Sequence, residues 1–162
     1  MQIRTVRPTE YDAVGELTAS TYLSEGYGSP AYASALRDVK SRDETATVLV
    51  AVADDEIVGA VTVATDGGPW SELAGDAEAE IRMLVVSPAA RRGGVGEALV
   101  RACVDRARAG GCTAVRLSTE PTMTSAHRIY QRLGFTRTPE RDWSPVAGVE
   151  LLTYELELPP GP

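Results

Sequence analysis

Leu84-Val85-Val86-Ser87-Pro88-Ala89-Ala90-Arg91-Arg92-Gly93-Gly94-Val95-Gly96 carries an apolar run through a proline into two arginines and three glycines. The run before it, residues 78–86, reads as a strand. Residues 95–109 place Val95, Ala98, Leu99, Ala102 and Cys103 at i, i+3, i+4, i+7 and i+8, the spacing of a helix with one buried face. The quoted stretch is therefore a strand, a glycine turn and a helix start. Glycine lets successive backbone amides converge on one point. A helix N-terminus adds unpaired N–H groups and partial positive charge. Together they make a phosphate site, and Arg91 and Arg92 bring two full charges to it.

Two nucleotide readings of that loop fail on residue identity. A phosphate loop of the Walker type needs Gly-Lys-Ser/Thr, and Gly96 is followed by Glu97. A dinucleotide fingerprint needs a third glycine where this chain has Leu99.

Outward from the loop, Gly110-Gly111 ends the helix. Residues 114–118 read as the next strand, which makes 78–118 a right-handed parallel crossover. Residues 124–133 read as a helix with Ala126, Ile129, Tyr130 and Leu133 on one face, stopped at Gly134. On the N-terminal side, residues 47–53 and 56–65 flank Asp54-Asp55 as a hairpin. Residues 3–7 read as a first strand, 8–22 as a helix, 24–29 as a loop, 30–40 as a second short helix and 66–76 as a loop containing Trp70. Residues 135–138 and 149–158 read as final strands. The expected architecture is a single α/β (α+β) domain over residues 1–158, with 159–162 a frayed tail. Its sheet is mixed and mostly antiparallel, with one parallel βαβ unit and flanking helices.

The 162 residues carry a formal net charge of -7, which argues against a nucleic-acid or acidic-membrane binder. The charge is unevenly placed. Residues 1–80 hold 5 basic and 15 acidic groups, residues 81–137 hold 10 and 3, and residues 138–162 hold 1 and 5. A strongly positive block inside an acidic chain points to an anionic ligand for that block or to solvated helical arginines. Cys103 and Cys112 have neither zinc nor disulfide-framework spacing. His127 is the sole histidine, so a histidine triad or multi-histidine metal site is excluded. No secretory h-region opens the chain and no apolar run approaches ~20 residues, so a cytoplasmic location is expected.

The stretch from Leu84 to Gly96 resembles the acetyl-coenzyme A signature of the GNAT N-acetyltransferases: a strand, a proline, then Arg/Gln-x-x-Gly-x-Gly/Ala. A second landmark, Ala126-His127-Arg128-Ile129-Tyr130-Gln131-Arg132-Leu133-Gly134-Phe135, is similar to the family's late Ala-x-x-x-Tyr-x-x-x-Gly-Phe. The resemblance implies transfer of an acetyl group from acetyl-coenzyme A to a primary amine in a ternary complex, with no metal and no covalent enzyme intermediate. It implies that backbone amides from Arg92 through Gly93, Gly94, Val95 and Gly96 to Glu97 cradle the pyrophosphate, beside Arg91. It implies that the backbone of Leu84, Val85 and Val86 pairs with the pantetheine arm, and that the sheet splays between that strand and the next.

By the same resemblance Tyr130 is the general acid; its place on an apolar helix face leaves a core role as the alternative. An ordinary lysine amine has a pKa of about 10.4, so a carboxylate that accepts its proton is useful. Glu80 is the candidate, because alternation places Glu78, Glu80 and Arg82 on one face. The resemblance places the acceptor near the first two helices and the loop before residue 78, so Tyr27, Trp70 and Glu78, with Tyr22, Tyr32, Glu72 and Asp76, are the candidate acceptor lining; acids and aromatics suit a cationic amine. Arg141-Asp142-Trp143 is a candidate wall. Family members that acetylate protein N-termini often carry a Glu where this chain has Ser118 and an Asn where it has Met123. Both departures weigh against acetylation of a ribosomal-protein N-terminus and toward a small-molecule amine; a protein lysine or N-terminus is the alternative acceptor. A coenzyme A-binding sensor without turnover and a homodimer through exposed strand edges stay open.

Overall fold

The computed structural model describes residues 1–27, 30–65 and 67–160. The ends of two expected loops (Gly28-Ser29 and Asp66) and of the expected tail (Gly161-Pro162) lie outside the described residues.

Seven strands form one sheet: β1 (Gln2–Thr5), β2 (Thr47–Ala53), β3 (Glu56–Ala64), β4 (Glu78–Val86), β5 (Ala114–Thr119), β6 (Thr136–Arg137) and β7 (Leu152–Glu157). Their spatial order is β1-β2-β3-β4-β5-β7-β6. Among the described residues only β4 and β5 run parallel. Asp54 and Asp55 both take positive φ, 51° and 62°, which is the twist a two-residue hairpin turn requires. The sheet is mixed as the sequence implies, and its parallel pair encloses the crossover helix.

Helices cover both faces. α1 (Tyr11–Ser24), α2 (Ala33–Arg37) and α3 (Val39–Thr45) lie on one face, where Val14 and Val39 bury against Val48, Val50 and Val85, and Leu36 against Ala19 and Met83. α4 (Val95–Ala109) covers the other face, burying Leu99, Val100 and Cys103 against Leu49, Val61 and Ile81. α5 (Thr124–Arg132) packs Tyr130 and Ile129 against the same cluster. The alternation of Val48 and Val50 with Leu49 and Ala51 feeds the two layers from one strand.

The expected single helix over 30–40 is two. A 3-10 turn at Pro30–Tyr32 leads into α2, and the chain breaks at Asp38 (φ -83°, ψ 62°). The Asp38 carboxylate accepts from Ser41 N at 3.2 Å and so caps α3. The final strands are shorter than expected, because the chain between them makes an isolated bridge at Trp143 and Leu151.

Candidate active site

The strand that carries the loop is not regular. Met83 has φ 58°, and the pairing of β4 with β3 jumps from Arg82–Thr62 to Val85–Ala60, so β4 holds one extra residue there. This bulge switches the side-chain parity. Ala79 and Ile81 face α4 before it; Leu84 and Val86 face α4 after it, while Met83 and Val85 turn to the α1 side. The switch also opens the sheet. β4 pairs with β5 only from Glu78–Ala114 to Ile81–Leu117, and beyond that point the two strands part. The splay implied by the family resemblance is present, and it begins at the bulge.

Two cavities meet in the fork. One, about 540 Å³, is bounded by the end of β4, the glycine turn, the start of α4 and one side of α5. The other, about 390 Å³, is bounded by β4 before the bulge, the end of β5, α5 and the chain from Trp143 to Leu151. Tyr22, Leu84, Met123 and Ala126 line both. The Tyr22 hydroxyl donates to the Leu84 carbonyl at 3.2 Å, which fixes α1 against the open edge of β4.

The first cavity suits an anion. Arg92 (φ 69°) and Gly94 (φ 78°) both take left-handed backbone. Such a sequence of conformations turns neighbouring amides toward one concavity. Gly94 is the N-cap of α4 and no side chain caps the helix, so the first-turn N–H groups are left for a ligand. Arg91, Arg92, Arg128 and Arg132 line this cavity against Glu25 and Glu97. Arg91 is ion-paired with Glu25. Arg132 bonds Glu97 at 2.9 Å and holds its carboxyl below the ordinary range. The excess is positive. These residues fit a ligand that carries several phosphates.

The second cavity has the opposite balance, with Glu72, Glu80 and Glu120 against Arg82. Glu80 is 2% exposed. Its Oε1 accepts the backbone N–H groups of Glu72, Leu73 and Ala74 at 2.9, 2.6 and 3.0 Å. The 71–75 loop is thereby folded around a single oxygen. Arg141 holds the loop from outside, donating to the Leu73 carbonyl at 2.8 Å. Arg82 pairs with Glu72 at 2.5 Å and donates to the Tyr32 hydroxyl at 2.8 Å. Tyr130, 4% exposed, lies against Phe135 and Tyr154 with ring centroids 5.7 Å from each. Burial pushes its phenol up, so it stays protonated through the neutral range. Ser118 accepts from Trp143 Nε1 at 3.0 Å.

The structure gathers Tyr130, Glu80, Tyr22, Tyr32 and Glu72 at the second cavity, and Leu84, Val85, Val86, Arg91, Arg92, Gly94, Val95, Gly96 and Glu97 at the first. Tyr27 lies on the first cavity, not the second. Its N–H bonds Tyr22 O at 2.8 Å beyond the end of α1, and this turn carries it to the loop side. Trp70 lines neither; it is stacked between Arg42 and Arg82, whose guanidinium carbons lie 5.7 and 5.6 Å from its ring. Glu78 also lines neither and is engaged by Arg116 at 2.9 Å and by Gly75 N at 2.8 Å. Met123 and the wall from Pro145 to Leu151 are cavity residues that the sequence reading did not assign to a ligand. Of the expected wall Arg141-Asp142-Trp143, Trp143 lines this cavity.

Residues 11–135 match the model of the acetyltransferase (GNAT) family. The chain belongs to the GNAT family. Among curated GNAT relatives, the mycothiol acetyltransferase of Streptosporangium roseum is 39% identical over 72 residues, 44% of this chain and 20% of that protein. Human N-alpha-acetyltransferase 30 is 37% identical over 78 residues, 48% of this chain and 22% of that protein. The chain thus spans about a fifth of the length of these curated relatives. The yncA protein of Salmonella typhimurium, solved with acetyl-CoA, superposes with a TM-score of 0.72 at 22% identity, covering 98% of this chain and 94% of that one. At that identity the likeness speaks for the GNAT fold alone.

Proposed function

We propose that this GNAT protein transfers an acetyl group from acetyl-coenzyme A to the primary amine of a cationic small molecule, with both substrates bound at once. One observation carries the reading: two cavities of opposite charge meet in the fork of the sheet, at Tyr22, Leu84, Met123 and Ala126. A direct transfer needs two ligand spaces that touch at one point.

Bound acetyl-coenzyme A supplies a thioester whose acyl carbon takes an amine and whose thiolate departs. The chain's own residues do the rest. The amides of Arg92 through Glu97, with Arg91 and Arg128 nearby, hold the phosphates. The open edge of β4 beyond Ile81 offers backbone groups to the pantetheine arm and N–H donors to the thioester carbonyl. Tyr130 gives its hydroxyl proton to the departing sulfur. Glu80, fixed by three backbone donors, takes the ammonium proton directly or through a water. Trp70 and Glu78 serve the site from behind: Trp70 stacks on Arg82, and Glu78 accepts the N–H of Gly75 at the end of the loop that presents Glu72.

A thiol-release assay with acetyl-coenzyme A across aminoglycosides, polyamines, amino acids, simple amines and peptides tests the reading. Release with small amines is expected. Release with peptides alone would assign the chain to protein acetylation. Coenzyme A binding without release from any amine would assign it to sensing.

A further inference from the structure

We infer that the acceptor is a monoamine carried on an apolar body, aryl or branched alkyl, and not a polyamine or an aminated sugar. The inference rests on the acetyl-transfer reading and names the substrate class for the same site.

The walls of the second cavity are unlike those expected around a polyol. Trp143, Val146, Val149 and Leu151, from one stretch of chain, line it together with Met83 and Met123. Apolar walls of this kind bind by removing apolar surface from water. Val146 is 57% exposed and continues this wall to the surface. A ligand with an apolar body covers it.

Several polar groups of the same cavity are engaged within the protein. Ser118 Oγ accepts from Trp143 Nε1 at 3.0 Å, and Thr119 Oγ1 donates to Met123 Sδ at 3.5 Å. Tyr32 Oη accepts from Arg82, which also neutralises Glu72. The hydroxyls of a sugar would leave water here without new partners, which disfavours them. A second ammonium group would meet the same apolar wall and lose its hydration.

The charge lies on the other side. Glu72, Glu80 and Arg82 belong to β4 and the loop it holds, across the fork from the Trp143–Leu151 bridge. Arg82 neutralises Glu72; of the two other carboxylates Glu80 stands with Tyr130, while Glu120 lies beyond the end of β5, so the ammonium is placed beside Tyr130 and Glu80. A ligand with one charged end and one apolar end matches that polarity.

The test uses 2-phenylethylamine, spermidine, kanamycin and a short peptide with an apolar first residue. Each is assayed for thiol release from acetyl-coenzyme A and titrated calorimetrically into the coenzyme A-saturated protein. The monoamine is expected to show at least a tenfold higher kcat/KM than spermidine and kanamycin. Val146→Asp is expected to lower the kcat/KM for 2-phenylethylamine at least fivefold more than that for spermidine. Turnover of spermidine or kanamycin at an equal or higher kcat/KM overturns the inference and leaves acetyl transfer standing. A tenfold advantage for the peptide overturns the small-molecule class. If no amine releases thiol, the transfer reading fails, and the calorimetric order still decides: tighter binding of 2-phenylethylamine than of spermidine supports the apolar site, and the reverse order overturns it.

Discussion

A Cβ built on Gly96 would stand 2.8 Å from Ile129 Cδ1, so the first turn of α4 touches α5 and a side chain there would have to displace the end of Ile129. The glycine that the phosphate motif supplies here serves helix packing; Gly94, by contrast, meets nothing within 4 Å and is needed for its positive φ.

Gly96→Ala is therefore expected to displace Ile129 Cδ1, the free end of a flexible side chain; the rotamer strain of about 1 kcal/mol is offset by alanine's ~1 kcal/mol better helix propensity, so the melting temperature should stay near wild type. Ile129→Val removes the obstructing Cδ1. The double variant should be more stable than the sum of the single changes implies, a coupling between neighbours that a mutant cycle reads. Thermal unfolding of the four proteins checks it. Additive effects would refute the contact.

Tyr130→Phe should lower kcat by roughly 10²–10⁴, the usual worth of a positioned acid. Coenzyme A affinity should not change, since Tyr130 lines the other cavity. Because burial raises its pKa, the wild-type rate should show no loss on the basic side attributable to Tyr130 up to about pH 10, the ordinary phenol value. An unchanged kcat would return Tyr130 to the core.

Glu80 combines two tasks that substitution can separate. Glu80→Ala removes the acceptor of three backbone N–H groups and should destabilise by about 1–3 kcal/mol. Glu80→Gln keeps an oxygen for them and should hold the melting temperature near wild type while lowering kcat. Retained kcat in Glu80→Gln would leave Glu80 a positioning residue for the 71–75 loop.

Acid should unfold this protein through two peripheral pairs. Arg4 holds the Glu10 carboxyl at about 2, and Arg137 with Thr153 holds Asp142 at about 2. Both values lie below those of the unfolded chain, about 4. The unfolded state therefore takes up protons first as pH falls. The stabilisation is complete above about pH 5 and is lost progressively toward pH 2. Asp142→Asn should lower the melting temperature at pH 7 and flatten its decline below pH 4. A decline as steep as wild type would sink the assignment.

The helix over Val95–Ala109 and the strand over Glu78–Val86 were legible because periodicity and punctuation agree: five apolar positions on one face, Gly110-Gly111 after it, and Ser87-Pro88 after the strand. The bulge at Met83 was not. Residues 83–86 are all apolar, so a change of parity among them leaves no mark in the sequence, and a positive φ at methionine has no composition signal. Glu80 was legible as a carboxylate near the site, but its engagement was not, since its partners are main-chain amides. Tyr27 and Trp70 were named by type and neighbourhood. Their cavities depend on the turn after α1 and on the stacking between Arg42 and Arg82, which are tertiary facts.

The placement of the two tryptophans gives the protein its own optical probe. Trp143 lines the acceptor cavity, and Trp70 is screened from it behind Arg82. Any occupant of that cavity changes the surroundings of one indole and leaves the other as an internal reference. With Trp70→Phe, the emission of a single chromophore would follow acceptor binding in real time, before any chemistry and without a label.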